Sequence, residues 1–257
     1  MVDSVVRLAL ALHSDRGAYA ALLGSGISAA AGIPTGWQIV TDLISKVAAL
    51  EGTVVGEDPI GWYRARFGDE PDYSRLLDEL AKSPTERSIL LQRYFEPTFE
   101  ERSRAVRVPG AAHRALGQLA ARGYISVFLT TNFDRLLEQA LEAAGIVPVT
   151  LSTPDSFEGS VPLGRIRCTV VKLNGDYLDT RIKNTPAELD AYHPSVNRLL
   201  DRVFDEYGLI VCGWSADWDT ALYRAFERCP SHRYTTFWAS RNAPGEKAAR
   251  LIDLRRK

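Results

Sequence analysis

Cysteine is scarce in this chain, and the few cysteines present cannot build the common cysteine-dependent sites. Cys168, Cys212 and Cys229 are odd in number and widely spaced, and no Cys-x-x-Cys pair occurs. This pattern excludes a zinc ribbon and is typical of buried thiols in a reducing compartment. We therefore expect a cytoplasmic protein that holds no zinc.

Long hydrophobic runs and an excess of one charge are also missing. No apolar run approaches the roughly 20 residues that a membrane span requires, and the first residues lack the pattern of a signal peptide. The formal net charge is only −1, so composition does not indicate a polyanion-binding protein. We expect one domain over residues 1–257 that contacts neither membranes nor, directly, nucleic acids.

Glycine marks the first informative stretch, residues 19–36. Its apolar start, residues 20–23, is typical of a parallel strand covered on both faces. Residues 24–29 then fit the G-x-G-x-x-G/A spacing, in which a pyrophosphate lies at a helix N-terminus. The amides after Gly26 are therefore a candidate phosphate cradle, while a tight strand-to-helix connection without a ligand is the alternative.

Helices and strands alternate through the rest of the chain. Further strands are predicted at residues 125–130, 147–151, 168–173, 209–212 and 234–238. Helices are predicted between them, and this alternation favours an α/β domain with a mainly parallel sheet. Residues 51–107 contain short, charged helical pieces and no obvious strand. We interpret them as a helical insertion or lid, the alternative being a helical layer with no part in binding.

Polar residues follow four of the predicted strands, at residues 24–28, 130–134, 174–176 and 213–219. Because parallel strands bring their carboxyl ends to one edge, we expect these clusters to meet in a single site. Asn, Asp and Gly are also the residues that turns prefer, so each cluster alone has a purely structural explanation.

These clusters resemble motifs of the sirtuin superfamily, and more closely those of its non-deacylase, sirtuin-like branch found in prokaryotic defence proteins. Pro109 and His113 fit the same pattern. The residues that carry the resemblance are GSGIS at 24–28, AGIP at 31–34, TTNFD at 130–134, KLNGD at 172–176, and GWS at 213–215 with Asp219. The resemblance implies a Rossmann-like, doubly wound, mostly parallel sheet with a helical insertion, and NAD as the ligand.

The resemblance also implies roles for individual residues. Asn132 and Asp134 match the pair beside the nicotinamide ribose and are the candidate catalytic residues, together with His193. The candidate NAD-binding residues are Gly24, Ser25, Gly26, Ser28, Pro34, Thr131, Asn174, Asp176, Gly213 and Ser215.

The sequence departs from the family pattern at Asn174, where the family carries a histidine that serves as the base for a ribose hydroxyl. Protein deacylation depends on that base more than simple hydrolysis does, and the four-cysteine zinc module of deacylases is also missing. His193 is the downstream candidate for a substitute base, with a surface or helix-capping role as its alternative. His113 is interpreted as structural. Asn174 is equally compatible with an inactive site.

The resulting functional hypothesis is an NAD hydrolase that releases nicotinamide and ADP-ribose as a latent effector of antiphage defence. The expected activator is a short Argonaute-type protein, a helicase-like ATPase or assembly into a homo-oligomer, and the chain is either complete or part of a longer effector. The alternatives are an inactive sensor of NAD or ADP-ribose and, third, an NAD-dependent deacylase. A dehydrogenase is disfavoured because no clear acidic residue ends a second strand.

Overall fold

The computed structural model describes residues 3–71, 73–179, 189–229, 231 and 233–256, and its centre is a sheet. The strands are β1 (Tyr19–Leu23), β2 (Ile125–Thr130), β3 (Val149–Leu151), β4 (Thr169–Lys172), β5 (Gly208–Cys212) and β6 (Phe237–Ala239). The helices are α1 (Ser4–Ser14), α2 (Ser25–Ala29), α3 (Gly36–Leu50), α4 (Pro59–Phe67), α5 (Tyr73–Leu80), α6 (Pro84–Phe95), α7 (Phe99–Ser103), α8 (Ala111–Ala121), α9 (Leu136–Ala143), α10 (Pro154–Glu158), α11 (Pro194–Glu206), α12 (Thr220–Glu227) and α13 (Glu246–Leu254). None of these helices is long and apolar enough to cross a membrane.

The six described strands run parallel in the order β3-β4-β2-β1-β5-β6. The chain first builds the sheet to one side of β1 and later, through β5 and β6, to the other side. The order therefore reverses beside β1, which is where open parallel sheets bind their ligands. This arrangement confirms the predicted Rossmann-like α/β class.

Both faces of the central strand are buried, as its continuous apolar run predicts. Ala20 and Leu22 belong to the core that contains residues of α11, α12 and α13. Tyr19, Ala21 and Leu23 belong to a second core with residues of α1, α8 and α9. Alternate residues of β1 thus point to opposite faces of the sheet, and each face is covered by its own layer of helices.

A third core lies among the helices between α3 and α6 and reaches the loop after β2. Ile39 and Leu43 of α3 share it with Leu76 and Leu91 of the helical segment, and Phe133 completes it. Residues 51–107 contain helices and no strand among those described, as predicted. Their role as an insertion or lid stays a prediction, although this core joins them to the edge of the sheet where β2 ends.

Several boundaries differ from the sequence-based prediction. The helix expected to start at residues 34–37 is α3, but a separate short helix, α2, precedes it directly after β1. The predicted strands at 147–151 and 234–238 are shorter or shifted because β3 and β6 are edge strands that pair on one side only. The helix predicted over 186–207 begins at Pro194, which suits a first helical position, and residues 186–188 lie outside the described residues.

Three glycines bring the ends of β1 and β5 into backbone contact. The amide of Gly24 donates to the carbonyl oxygen of Cys212 at 2.9 Å, and that of Gly26 donates to the oxygen of Gly213 at 3.0 Å. A Cβ atom on Gly24 would lie 2.4 Å from the Gly213 oxygen, and one on Gly213 would lie 2.6 Å from the Ile27 nitrogen. We call this contact the glycine contact, and it leaves no room for a side chain.

Replacing Gly24 by alanine should therefore destabilise the fold. Because the added methyl group meets backbone atoms that cannot turn away, we expect Gly24→Ala to lower the free energy of unfolding by about 1–3 kcal/mol in urea titrations. The matched control is Gly56→Ala, since a Cβ atom there has no neighbour within 4 Å. Equal stability of the two variants would contradict the close contact.

Candidate functional site

A cleft of about 640 Å³ opens at the carboxyl ends of the central strands. Leu23 of β1 is in register with Thr130 of β2 and with Cys212 of β5, and Thr130 is in register with Lys172 of β4. The loops that follow these strands therefore begin at the same height and surround one space. The volume is within the range of about 300–1,000 Å³ typical of small-molecule sites.

The cleft brings together most of the residues proposed from the sequence. Those that line it are Ser25, Gly26, Ser28, Pro34, Thr131, Asn132, Asp134, Asn174, Gly213 and Ser215. They come from all four polar clusters, so the expectation that the strand ends meet at one site agrees with the geometry. Their roles toward a ligand stay predictions.

Three proposed residues lie elsewhere. Gly24 is taken up by the glycine contact behind the cleft. The carboxylate of Asp176 is buried and accepts hydrogen bonds from the Lys172 ammonium and from the Leu178 amide. His193 is exposed and caps α11, where its Nδ1 accepts from the Ser195 amide. None of the three is among the cleft residues, and for His193 this position matches the helix-capping alternative.

The glycine-rich turn differs from the phosphate cradle expected from the sequence. The Gly26 amide already donates to Gly213, and the Ile27 amide donates to the carbonyl oxygen of Gly24 at 3.2 Å. These two N–H groups are therefore occupied within the protein. The observed reason for glycine at positions 24 and 26 is the approach of two backbones, and the cleft receives from this turn the side chains of Ser25 and Ser28.

A buried hydrogen-bond chain fixes the orientation of Asn132. The Gly110 amide donates to Nδ1 of His113 at 3.2 Å, so the ring proton lies on Nε2, which is 3.3 Å from Oγ of Ser28. Nδ2 of Asn132 donates to the same Ser28 oxygen at 3.0 Å. Oδ1 of Asn132 is buried and has no hydrogen-bond partner among the described residues. The hydrogen-bond chain therefore leaves Oδ1 of Asn132, a residue that lines the cleft, as an unpaired acceptor.

Burial keeps the imidazole of His113 neutral in this hydrogen-bond chain. The residue is 1% exposed, and desolvation lowers its pKa, with Arg114 acting in the same direction and Asp134 opposing it. A neutral ring is needed because Nδ1 must remain an acceptor for the Gly110 amide. His113 thus has the structural position expected from the sequence, and through Ser28 it also helps to position Asn132.

The lowered pKa of His113 predicts a pH dependence of stability. The unfolded chain binds a proton on this histidine below about pH 6.5, while the folded chain resists it, so folding is favoured above that pH and weakened as pH falls. We expect the free energy of unfolding to decrease more steeply from pH 7 to pH 5 in the wild type than in His113→Gln. The difference should be at most about 1.4 kcal/mol per pH unit.

Urea titrations at several pH values measure these slopes, and His13→Gln, at an exposed position in α1, is the matched control. Parallel slopes for the wild type and His113→Gln would show that His113 is not held neutral by the fold.

A buried ammonium group orders the loop that carries Asn132. Nζ of Lys172 is fully buried and donates to the carbonyl oxygens of Phe133 at 3.0 Å and Asp134 at 2.6 Å. It also pairs with Asp176 at 3.1 Å and Glu138 at 3.3 Å. Desolvation raises the pKa of Glu138, an effect that Lys172 opposes. Lys172 and Asp176 thus stabilise the loop after β2 from inside the protein, and neither lines the cleft.

Asn174 is held in place by two buried side chains. Its Nδ2 donates to Oδ2 of Asp219 at 3.2 Å, and the Tyr192 hydroxyl lies 3.2 Å from its Oδ1 and 2.8 Å from the same Asp219 oxygen. Burial and the Asp219 carboxylate raise the pKa of Tyr192 well above its ordinary value. Asn174 is therefore fixed at the wall of the cleft by a protonated phenol and a carboxylate.

The charged side chains that line the cleft are acidic. Glu70, Asp134 and Asp219 line it, and no lysine or arginine does so in the part of the chain that the structure describes. Such a lining favours a ligand or transition state that carries positive charge near these carboxylates. Any phosphate group would rely on neutral donors such as the exposed hydroxyls of Ser25 and Ser215.

Sequence reasoning gave no role in the site to several residues that line it. Asp219 belongs to the polar cluster recognised at residues 213–219 but is not among the candidate site residues, although an aspartate before a helix is a recognisable N-cap signal. Trp37 and Trp218 also line the cleft. No periodic signal marks these tryptophans, because their place in the cleft depends on the contact between the start of α3 and the loop after β5.

The parallel sheet and the cleft at its carboxyl edge define an α/β protein with a small-molecule site. A family model described as a SIR2-like domain matches residues 126–251. The match begins within β2, includes Asn132, Asn174 and Ser215, and ends within α13. It supports a SIR2-like domain over the second half of the chain. The comparison with curated proteins found no match.

Solved structures of Sir2 homologues are similar over nearly the whole chain. One, a Sir2 homologue–NAD complex, is 15% identical with a TM-score of 0.46 and is matched over 99% of this chain and 94% of its own. A mutant Sir2 homologue in complex with 2'-O-acetyl ADP ribose is 17% identical, with a TM-score of 0.45 and coverage of 99% and 96%. A structure described as the basis of sirtuin substrate affinity is 17% identical, with a TM-score of 0.47 and coverage of 98% and 99%.

Proposed function

We propose that the cleft binds NAD and hydrolyses the bond between nicotinamide and ribose. The observation that carries this proposal is the fixed amide of Asn132. Its nitrogen is held by Ser28, which His113 holds in turn, while Oδ1 is a buried acceptor with no partner among the described residues. A buried acceptor left unpaired is costly, so it is typical of a group that awaits a ligand.

The chemistry requires little acid catalysis. Water attacks C1' of the ribose, the bond from C1' to the pyridinium nitrogen breaks, and its electron pair stays on the nitrogen. The ring thereby becomes neutral nicotinamide, and ADP-ribose and one proton are released. Because the leaving group is neutral, the protein must mainly orient the water and stabilise positive charge on the ribose.

The side chains of the cleft suit these tasks. Oδ1 of Asn132 can accept a hydrogen bond from the attacking water or from a ribose hydroxyl. The Asp134 carboxylate lines the same cleft, and its Oδ1 is fixed by the Leu136 amide at 3.0 Å. A negative charge held in a largely buried position stabilises an oxocarbenium-like ribose. The acidic lining favours the positively charged pyridinium ring of the oxidised dinucleotide over the neutral ring of the reduced form.

A second candidate function is a sensor that binds NAD or ADP-ribose without cleaving it. It is favoured by Asn174, which stands where the resemblance implies a histidine. The Asn174 amide is engaged with Asp219 and with Tyr192, whose raised pKa keeps the phenol protonated. The amide and the protonated phenol are not ready proton acceptors for a ribose hydroxyl. Both oxygens of the Asp219 carboxylate already accept hydrogen bonds, Oδ2 from Asn174 and Tyr192 and Oδ1 from the Leu222 amide. A site of this kind can therefore bind without turnover.

The biological setting belongs to the proposal as well. We infer a latent cytoplasmic effector of antiphage defence that lowers cellular NAD when a protein activator or self-assembly engages it. This setting rests on the motifs that resemble prokaryotic defence proteins and on the match to a SIR2-like domain. It implies that activity is measured in the assembled state as well as for the isolated chain.

The test is nicotinamide release by the activated protein, with Asn132 replaced by alanine. Because the water or ribose loses its orienting acceptor, we expect Asn132→Ala to slow NAD cleavage by about 100-fold. NAD binding should weaken much less. The matched control, Asn242→Ala, removes an exposed asparagine outside the cleft and should leave the rate unchanged.

The outcomes separate the two candidates. Full cleavage by Asn132→Ala would contradict the proposed role of this amide. Thermal stabilisation by NAD with no nicotinamide release, even in the assembled state, would establish the sensor instead of the hydrolase.

A further inference from the structure

Two tryptophans at the cleft are largely exposed. Trp37 is 55% exposed and Trp218 is 73% exposed, whereas Trp214, on the same loop as Trp218, is 7% exposed and packs in the core. Large aromatic side chains are rarely left so open to water, and exposed apolar surface next to a cleft commonly marks a binding surface. Packing in the fold therefore does not explain these two exposed rings, and their position points to a role in binding.

The two indole rings stack on each other from separate elements. Their centroids are 6.2 Å apart and their planes are inclined by 19°. Trp37 is the second residue of α3, and Trp218 lies in the loop between β5 and α12. Both line the cleft. The stacked pair thus joins the two walls of the cleft without belonging to any of the three cores.

The elements that carry the rings are held firmly. The start of α3 is fixed by a capping box, in which the Gln38 amide donates to Thr35 and the Gln38 side chain accepts from the Thr35 amide. On the other wall, Asp219 caps α12 through the Leu222 amide at 2.9 Å, and Lys247 donates to the carbonyl oxygen of Asp217 at 2.9 Å. These anchors leave side-chain rotation as the main freedom of the two rings.

The loop that presents Trp218 also contains an unusual backbone conformation. Ala216 has a φ of +66°, a left-handed conformation that is unfavourable for a residue with a Cβ atom. Such strain is retained where the shape of a loop matters, and ligand clamps are among these places. In this loop it separates the buried Trp214 from the exposed Trp218.

We propose that Trp37 and Trp218 form an aromatic clamp that separates and closes on a planar heteroaromatic ring of the bound nucleotide. A ring held between two others requires their planes to be about 7 to 8 Å apart, twice the optimal carbon–carbon separation. The centroid distance of 6.2 Å is an upper limit for the present separation of the two planes, so the rings must move apart by at least about 1 Å to admit a third ring. One indole–indole contact is then replaced by two contacts with the ligand.

The proposed clamp rests on the proposed binding of NAD. It adds that Trp37 and Trp218 recognise one of the heteroaromatic rings of the dinucleotide. NAD carries two such rings, adenine and nicotinamide. Indole faces stack on either ring, and they attract a cationic pyridinium in addition. The shared chemistry is therefore a flat, electron-poor or neutral heteroaromatic base, and the two sources are distinguished by experiment.

The experiment measures dissociation constants for carba-NAD, an analogue whose glycosidic bond is not hydrolysed, by tryptophan fluorescence and calorimetry. Because stacking on a base contributes strongly to nucleotide affinity, we expect Trp37→Ala and Trp218→Ala each to weaken binding about tenfold. Trp218→Phe should retain most of the affinity, whereas Trp218→Leu, which is closer in size to the phenylalanine variant than to alanine but has no aromatic ring, should behave like Trp218→Ala. Trp62→Phe in α4 is the control, because this tryptophan lies outside the cleft.

Competition with AMP and with nicotinamide mononucleotide identifies the ring. The mononucleotide whose affinity falls in Trp218→Ala is the one that the clamp holds. Unchanged affinity for carba-NAD in both alanine variants, or equal affinities for Trp218→Phe and Trp218→Leu, would overturn the clamp while leaving NAD binding intact. Failure of the wild type to bind carba-NAD would overturn the proposed function and the clamp together.

Discussion

The backbone contact between the turn after β1 and the loop after β5 is the constraint on which the site depends. Gly24 and Gly26 lie against Gly213 so closely that a Cβ atom on any of them would meet backbone atoms within about 3 Å. This contact sets the distance between the two loops where the strand order reverses. Ser28 on one side and Ser215 on the other reach the cleft as a result.

Two buried groups then fix what faces the cleft. The Lys172 ammonium binds the carbonyl oxygens of Phe133 and Asp134 and orders the loop after β2. His113, neutral because of its burial, holds Ser28, and Ser28 holds the amide of Asn132. Neither Lys172 nor His113 lines the cleft. The polar groups that orient a ligand are thus positioned from behind, which is how a site remains preorganised before its ligand arrives.

The sequence predicted the parallel α/β fold well, because the apolar runs of the central strands stand out and end in Gly, Asn or Asp. It predicted the edge strands poorly, since β3 and β6 pair on one side only and have weaker apolar patterns. Most candidate site residues were reached through the rule that ligands bind beyond the carboxyl ends of strands. The glycine contact, the Asn174 cluster and the tryptophan pair depend on contacts across the fold, which no local pattern encodes.

The central claim is that the cleft is an NAD site whose reacting ribose lies against Asn132. A crystal structure of the protein with carba-NAD tests it most directly. The account predicts the dinucleotide in the cleft at the carboxyl ends of β1, β2 and β5. Oδ1 of Asn132 should lie within hydrogen-bond distance of the hydroxylated carbocycle that replaces the nicotinamide ribose, or of a water beside it. A dinucleotide bound elsewhere, or one in the cleft that leaves this oxygen unpaired, would contradict the account.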